Sequence, residues 1–296
     1  MADDAVLGAF VHPATLLNEL GGRARRRFGQ NFLAAEGVVR EIVAAAEVGP
    51  GARVVEVGPG LGVVTGALLA RGVQLTAVEL DRDLVEWLQQ RFAGPIASGQ
   101  LRLISADAAK VDWAEVAPGE GWTFVSNLPY NVGTGIVTNL LDQPERFPRL
   151  VVMLQREVGL RMLARPGDRA RGSLSVFVEA RAKAATVRKV PPGCFHPPPK
   201  IHSLVLRLDA RGGVHDPQPS TRLSTDELTA VERVCRTAFS APRKTLARSL
   251  RKGWHADAAA AALDAAELSR SARPATLTLS DWVRLTAALG PAGGRS

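Results

Sequence analysis

The tetrapeptide Asn127-Leu128-Pro129-Tyr130 closes the apolar run Thr123-Phe124-Val125-Ser126. It sets an amide, two main-chain carbonyls and an aromatic ring at the tip of an expected strand. That combination suits the activation of an exocyclic amine on a flat base. The lone pair of an adenine or cytosine amino group is delocalised into the ring, so the nitrogen is a poor nucleophile. Acceptors that grip its N–H bonds localise the lone pair, and an aromatic ring stacked on the base fixes its plane. The same four residues also read as a strand entering a turn, so their weight depends on what stands at the neighbouring strand ends.

Three such ends carry candidates. Glu56-Val57-Gly58-Pro59-Gly60-Leu61-Gly62 joins one β-rich run to a helical stretch. Its glycines let the turn tighten and let backbone N–H groups approach a ligand closely. Pro59 departs from the spacing of a dinucleotide loop, and nothing resembles a P-loop lysine. Glu79 ends the next run, where a carboxylate can accept both hydroxyls of a ribose. Asp107 ends the third, where it can accept from an adenine amino group. Singly, each acid also reads as a strand-end or helix-capping residue. The glycine loop, Glu79, Asp107 and Asn127 at four successive strand ends form a pattern that fits S-adenosylmethionine, which has ribose and adenine but no phosphate.

The elements that position these residues follow from the alternation of short β-rich runs with helical stretches. Strands are expected at 53–57, 74–80, 101–106, 123–126 and 150–154, with helices at 63–70 and 83–92. This is the signature of an open parallel α/β sheet, which binds ligands at the carboxyl ends of its strands. Residues 203–208, after the turn Pro197-Pro198-Pro199, are expected as an antiparallel strand at or near the sheet edge. The Gly/Pro/Ser-rich stretch 211–220 reads as a linker. Helices follow at 225–239, 245–252, 257–266 and 280–289, the first capped by Ser224 or Thr225 and the last by Ser280. The expected organisation is an extension at 1–22, an α/β domain at 23–215, a helical domain at 216–290 and a disordered tail at 291–296.

The chain has 296 residues, 46% hydrophobic and 22% charged, which is ordinary for a soluble globular protein. No apolar run approaches the roughly 18 residues of a membrane span. The start Met1-Ala2-Asp3-Asp4 lacks the basic and apolar segments of a signal peptide. Cys194 and Cys235 have no paired spacing that suggests zinc or a disulfide, and a reducing cytoplasm is the expected location. His196 and His202 have no carboxylates at metal-ligand spacing, so no metal is expected. With 37 basic against 29 acidic residues the net charge is +8, which favours a polyanionic partner. Two basic blocks stand out, Arg23-Ala24-Arg25-Arg26-Arg27 and Arg243-Lys244 with Arg248, Arg251 and Lys252. The second falls at helical spacing, and both are expected to hold RNA phosphates.

Phe28-Gly29-Gln30-Asn31-Phe32-Leu33, the Glu56–Gly62 loop, Asn127-Leu128-Pro129-Tyr130-Asn131 and Phe195-His196-Pro197-Pro198-Pro199-Lys200 occur in this order. From about residue 26 to 250 the chain resembles the ribosomal RNA adenine dimethyltransferase family, most of all its bacterial small-subunit members. The resemblance implies a Rossmann-like S-adenosylmethionine-dependent methyltransferase sheet with a small all-helical C-terminal domain. It implies N6,N6-dimethylation of adjacent adenines near the 3' end of small-subunit (16S) ribosomal RNA during ribosome biogenesis. The implied partner is that RNA or a 30S assembly particle, met by a cytoplasmic monomer. Asn31 and Leu33 would close over the cofactor, Gly58 and Gly60 would line its methionine side, and Glu79 would hold the ribose. Asp107 would contact the cofactor adenine, with Asn127 between cofactor and target. Asn127 and the Leu128 or Pro129 carbonyl would grip the target amine, sandwiched between Tyr130 and Phe195. Arg25, Arg26, Arg27, Arg243, Lys244 and Arg248 would bind RNA. The chain departs from the family pattern at Gly133 and Gly135, where Ser and Pro are usual, at Arg171 and Ser173, and at Pro242. A large-subunit methylase of the macrolide-resistance type shares the pocket, and a non-catalytic ribosome-assembly or transcription factor shares the fold.

Overall fold

The computed structural model describes residues 10–20, 31–129, 132–216 and 222–290. They form two compact units, one ending at Gly159 and resuming at Ala185, the other combining Leu160–Ala184 with the C-terminal helices. The described residues hold nine strands, all in the first unit except for the first three residues of β7: β1 (Phe32–Leu33), β2 (Arg53–Val57), β3 (Gln74–Glu79), β4 (Leu101–Ser105), β5 (Thr123–Asn127), β6 (Arg149–Gln155), β7 (Ala182–Val190), β8 (Phe195–His196) and β9 (Ser203–Ala210). Seven make one sheet in the order β4-β3-β2-β5-β6-β9-β7. Strands β4, β3, β2, β5 and β6 run parallel, and β9 pairs antiparallel with β6. The chain winds outward from β2 through β3 to β4, then returns to place β5 on the other side of β2. This reversal opens a crevice beyond the carboxyl ends of β2 and β5.

The central strands are apolar throughout because both faces are covered. Val54, Val55, Phe124, Val125, Val151 and Val152 are fully buried, as continuous apolar runs in a parallel sheet require. Strand β7 was not expected from sequence. Its run Ala-Lys-Ala-Ala-Thr-Val-Arg-Lys-Val is too charged to read as a core strand, yet it lies at the sheet edge, where exposed Lys183 and Lys189 discourage edge-to-edge pairing. In a separate ribbon β1 pairs with β8, setting Phe32 opposite His196 and Leu33 opposite Phe195. Two motifs more than 160 residues apart thereby share one corner.

The expected N-terminal extension contributes a helix, Pro13–Glu19, started by Pro13 and capped by His12, whose Nδ1 accepts from the Ala14 N–H at 3.2 Å. Its Leu16 is fully buried against Phe32, Leu61 and Leu84.

The helical unit is built on well-capped helices. Thr225–Phe239 begins in a reciprocal box: Ser224 Oγ accepts from Glu227 N at 3.3 Å and Glu227 Oε2 accepts from Ser224 N at 2.7 Å. The last helix, Leu279–Leu289, is capped by Thr278 and not by Ser280, because its box pairs Thr278 with Asp281 and leaves Ser280 inside the first turn. Trp282, Trp254, Cys235, Leu246 and Leu250 form the core.

The sequence places residues 160–184 in the first domain, whereas the structure groups them with the C-terminal helices. Arg171 explains much of this. Its side chain is completely buried and donates to Glu179 Oε2 at 2.7 Å and to the carbonyls of Ala164 at 2.8 Å and Leu277 at 2.9 Å. Removing the guanidinium strands a carboxylate and two carbonyls together. Arg171→Ala should therefore lower unfolding free energy by on the order of 3 kcal/mol in chemical denaturation. Arg171→Lys, lacking the planar fork, should recover only part. A loss below about 1 kcal/mol, the range of an exposed pair, would mean that water replaces the guanidinium.

Candidate active site

The crevice above β2 and β5 is a cavity of about 590 Å³, within the range of small-molecule sites. Its walls include Asn31, Leu33, Gly58, Gly60, Glu79 and Asp107, joined by Asn127, Leu128, Pro129 and Phe195. The fold thus brings together nearly every described candidate of the α/β domain. Tyr130 and Asn131, like Arg25, Arg26 and Arg27, lie outside the described residues.

The glycine loop turns through positive φ at Gly58, Gly60 and Gly62. Two of these positions are dictated by neighbours. A Cβ on Gly62 would sit 2.5 Å from the Phe92 ring, and one on Gly60 would sit 3.2 Å from Phe32. The loop is held from the next strand end by Glu79. Its Oε2 accepts from Gly60 N at 3.2 Å, while Oε1 accepts from Leu80 N at 2.8 Å and Asp81 N at 3.0 Å. Burial still pushes the Glu79 carboxyl above its ordinary range, against the pull of these backbone donors. Three N–H partners occupy much of the carboxylate, so Glu79 shapes the loop as well as facing the cavity. Ser126 Oγ donates to the Val57 carbonyl at 2.6 Å, fastening the tip of β5 to that of β2.

The tetrapeptide divides its tasks unevenly. The Pro129 carbonyl accepts from Val132 N at 3.3 Å and Gly133 N at 3.0 Å, and so starts the helix Gly133–Leu141. The Leu128 carbonyl takes no such bond among the described residues, and Asn127 and Leu128 both line the cavity. Asp107 Oδ1 accepts from Ala109 N at 3.0 Å, and its other oxygen stands 3.7 Å from Lys110 Nζ. Phe195 is only 4% exposed and packs in the same core cluster as Leu33. It is first a core residue, and it borders the cavity from that position.

Residues 21–289 match the family described as ribosomal RNA adenine dimethylase. The chain belongs to this family. Similar relatives include the "Ribosomal RNA small subunit methyltransferase A" of Methylococcus capsulatus, 42% identical over 90% of this chain and 98% of the relative. That of Syntrophotalea carbinolica is 39% identical over 91% and 98%. Among solved structures, the 23S ribosomal RNA methyltransferase ErmE is 28% identical, covers 88% of this chain and 99% of its own, and has a TM-score of 0.67. A dimethyladenosine transferase from Plasmodium falciparum shares the fold at 22% identity, over 86% of this chain and 95% of its own, with a TM-score of 0.72.

Two of the cavity residues of this family member that escaped the sequence reading stand out. Leu80, 53% exposed, offers an apolar face beside Glu79; a leucine directly after a strand-end acid was the available signal. Glu56 is the other. It is fully buried in β2, and its Oε2 accepts from Thr65 Oγ1 at 2.7 Å. An acid inside the apolar run Val-Val-Glu-Val was visible in the sequence, without a sign of which way it pointed. In the helical unit Arg243, Lys244 and Arg248 are exposed and make no ion pair among the described residues. They lie in and beside the short helix Leu246–Leu250.

Desolvation raises the Glu56 carboxyl from 4.5 to about 8, only partly offset by the Thr65 hydrogen bond and augmented by the nearby Glu79 charge. The folded state then holds this proton more tightly than the unfolded state does. The resulting stabilisation is complete below about pH 4.5 and is lost as pH rises through about 8. Glu56→Gln, which keeps an acceptor for Thr65, should match the ligand-free wild type near pH 5. Near pH 8.5 it should be more stable by at least about 1.4 kcal/mol, the linkage of one pH unit. Melting curves at both pH values test this; an equal gap at each would contradict a neutral buried Glu56.

Proposed function

We propose that the chain dimethylates N6 of adjacent adenines in small-subunit ribosomal RNA, with S-adenosylmethionine as methyl donor. The observation that carries the reading is the Asn127 amide with the Leu128 carbonyl at the tip of β5, in one cavity with the glycine loop and Glu79. The small-subunit assignment draws on relatives about 40% identical over nine-tenths of the chain. The large-subunit relative ErmE is more distant.

The residues fit the proposed donor. A Cβ on Gly58 would stand 3.9 Å from both the Asn127 carbonyl and Pro129 Cδ. The missing side chain therefore leaves open the space between loop and tetrapeptide. When bound, S-adenosylmethionine supplies an already activated methyl group on a sulfonium. The protein's share is positioning and electrostatics. Asn127 Oδ1 and the Leu128 carbonyl accept the amine's hydrogens and stabilise positive charge as it grows on nitrogen. Glu79 holds the ribose hydroxyls with the acceptor capacity that the backbone leaves it, and Leu80 gives the cofactor adenine an apolar surface. The target adenine leaves its stack to enter, meeting Tyr130 and the cavity edge of Phe195. Arg243, Lys244 and Arg248 hold RNA phosphates, as do Arg25, Arg26 and Arg27. The enzyme works as a cytoplasmic monomer on RNA within a 30S assembly particle.

Purified protein should methylate adenine N6 in undermethylated small-subunit particles and leave large-subunit RNA unlabelled. Asn127→Ala should lower kcat by on the order of 10²–10³, the cost of losing one preorganised dipole. Label confined to large-subunit RNA would favour the resistance-type activity. RNA binding without any label would favour an assembly factor.

Salt dependence tests the basic face. Neutralising Arg243, Lys244 and Arg248 should weaken RNA binding and flatten its dependence on salt by about 0.7–0.9 units of slope per lost contact. An unchanged slope would make these residues a solvated surface.

A further inference from the structure

The charges lining the cavity are of one sign. Glu56, Glu79, Asp81 and Asp107 contribute carboxyls, and no Lys, Arg or His lines it among the described residues. Three of the four have backbone N–H groups to support a negative charge: Glu79 has three, Asp81 takes Asp83 N, and Asp107 takes Ala109 N. Glu56 does not. It is only 2% exposed, and its one hydrogen-bond partner among the described residues is the Thr65 hydroxyl. The elements packed against it add no cation. Strand β3 brings Glu79, the helix Val63–Leu69 brings Thr65 and no charge, and β5 brings Thr123, Ser126 and Asn127 and no charge.

We infer that Glu56 is a proton-linked selector for the charged methyl donor: it is neutral in the empty cavity and gives up its proton when the sulfonium form enters. The inference rests on the proposed use of S-adenosylmethionine. The donor carries a fixed positive charge on sulfur. As the S–CH3 bond breaks and the N6–CH3 bond forms, that charge is lost, leaving a neutral thioether, while N6 releases its proton to water. An ionised Glu56 is favoured by the first ligand and not by the second. The cavity therefore holds donor over product by charge, and product departure is assisted when Glu56 takes its proton back.

The ionisation range of Glu56 sets the window. Raised to about 8 in the empty cavity, the carboxyl is mostly protonated below that pH, and the donor gains its full affinity only as the proton leaves. Donor affinity should consequently rise with pH by up to about tenfold per unit, since one proton is exchanged, and level off above pH 8. S-adenosylhomocysteine affinity should change less.

Isothermal titration calorimetry between pH 6 and 8.5, in buffers of different ionisation enthalpy, reads both affinity and protons released. Wild type should release a proton near pH 7 on binding S-adenosylmethionine, and fewer on binding S-adenosylhomocysteine. Glu56→Gln mimics the protonated acid, so it should bind the donor like wild type at pH 6 and at least about fivefold more weakly at pH 8.5. The amino group common to both ligands titrates alike in both proteins and cancels in the comparison. Thr65→Val removes the hydrogen bond that favours the ionised carboxyl, so it should move the affinity rise to higher pH. Parallel pH profiles and equal proton release in wild type and Glu56→Gln would overturn the inference. Failure of wild type to bind S-adenosylmethionine at any pH would instead overturn the cofactor reading, and this inference with it.

Discussion

The site depends on a carboxylate that is spent mostly on its own backbone. Glu79 ends β3 and accepts from Gly60, Leu80 and Asp81. One bond reaches across to the loop after β2 and two fold the chain back after β3. Without it, a loop with three positive-φ glycines would have many conformations of similar energy. With it, the mouth of the crevice has one shape, and Gly58 faces the tetrapeptide across an open space. The Ser126 bond to the Val57 carbonyl does the same for β5. Three strand tips are thus tied together by side chains before any ligand arrives, which is what positioning catalysis requires.

The remaining walls explain why an acidic cavity can form in so apolar a place. Leu61, Leu84 and Phe32 line it and also close around Leu16 from the N-terminal helix. Low polarity strengthens every interaction inside and makes any unsupported charge costly. Glu79 meets that cost with backbone donors. Glu56, lacking them, meets it by staying protonated. Burial raises both glutamates on these adjacent strands, and only Glu79 has backbone N–H groups pulling the other way.

Much of this was legible in the sequence, because strand ends in a parallel sheet converge on one crevice whatever fills the helices between. Periodicity located β2 to β6 and β9 within about two residues, and with them Gly58, Glu79, Asp107 and Asn127. What was hidden depends on contacts that periodicity does not encode. Strand β7 is too charged to announce itself, and Arg171, held within its own segment by the Ala164 carbonyl and Glu179, ties residues 160–184 to the helical unit through the distant Leu277 carbonyl. The burial of Glu56 and the commitment of the Pro129 carbonyl to the following helix are likewise invisible to composition. The cap at Thr278 follows from a box with Asp281, three residues on, which a reading centred on Ser280 passed over.

None of Gly133, Gly135, Arg171, Ser173 and Pro242 lines the cavity among the described residues. A Cβ at Gly133 would lie 2.8 Å from Leu154 Cδ2 and 3.2 Å from Leu128 Cβ, so glycine there lets both leucines pack tightly behind the tetrapeptide. Gly135 has open space around it, and nothing in the structure requires glycine at that position. Pro242 is exposed in the turn before Leu246–Leu250, where the Lys244 N–H bonds to the Ala241 carbonyl around it. Proline has no N–H to donate, and this turn uses none from position 242. The basic side chains that follow it remain exposed. At Gly60, Gly62 and Glu79 the requirement falls on the residue itself: a Cβ would press on Phe32 or Phe92 at the two glycines, and three backbone N–H groups converge on the Glu79 carboxyl.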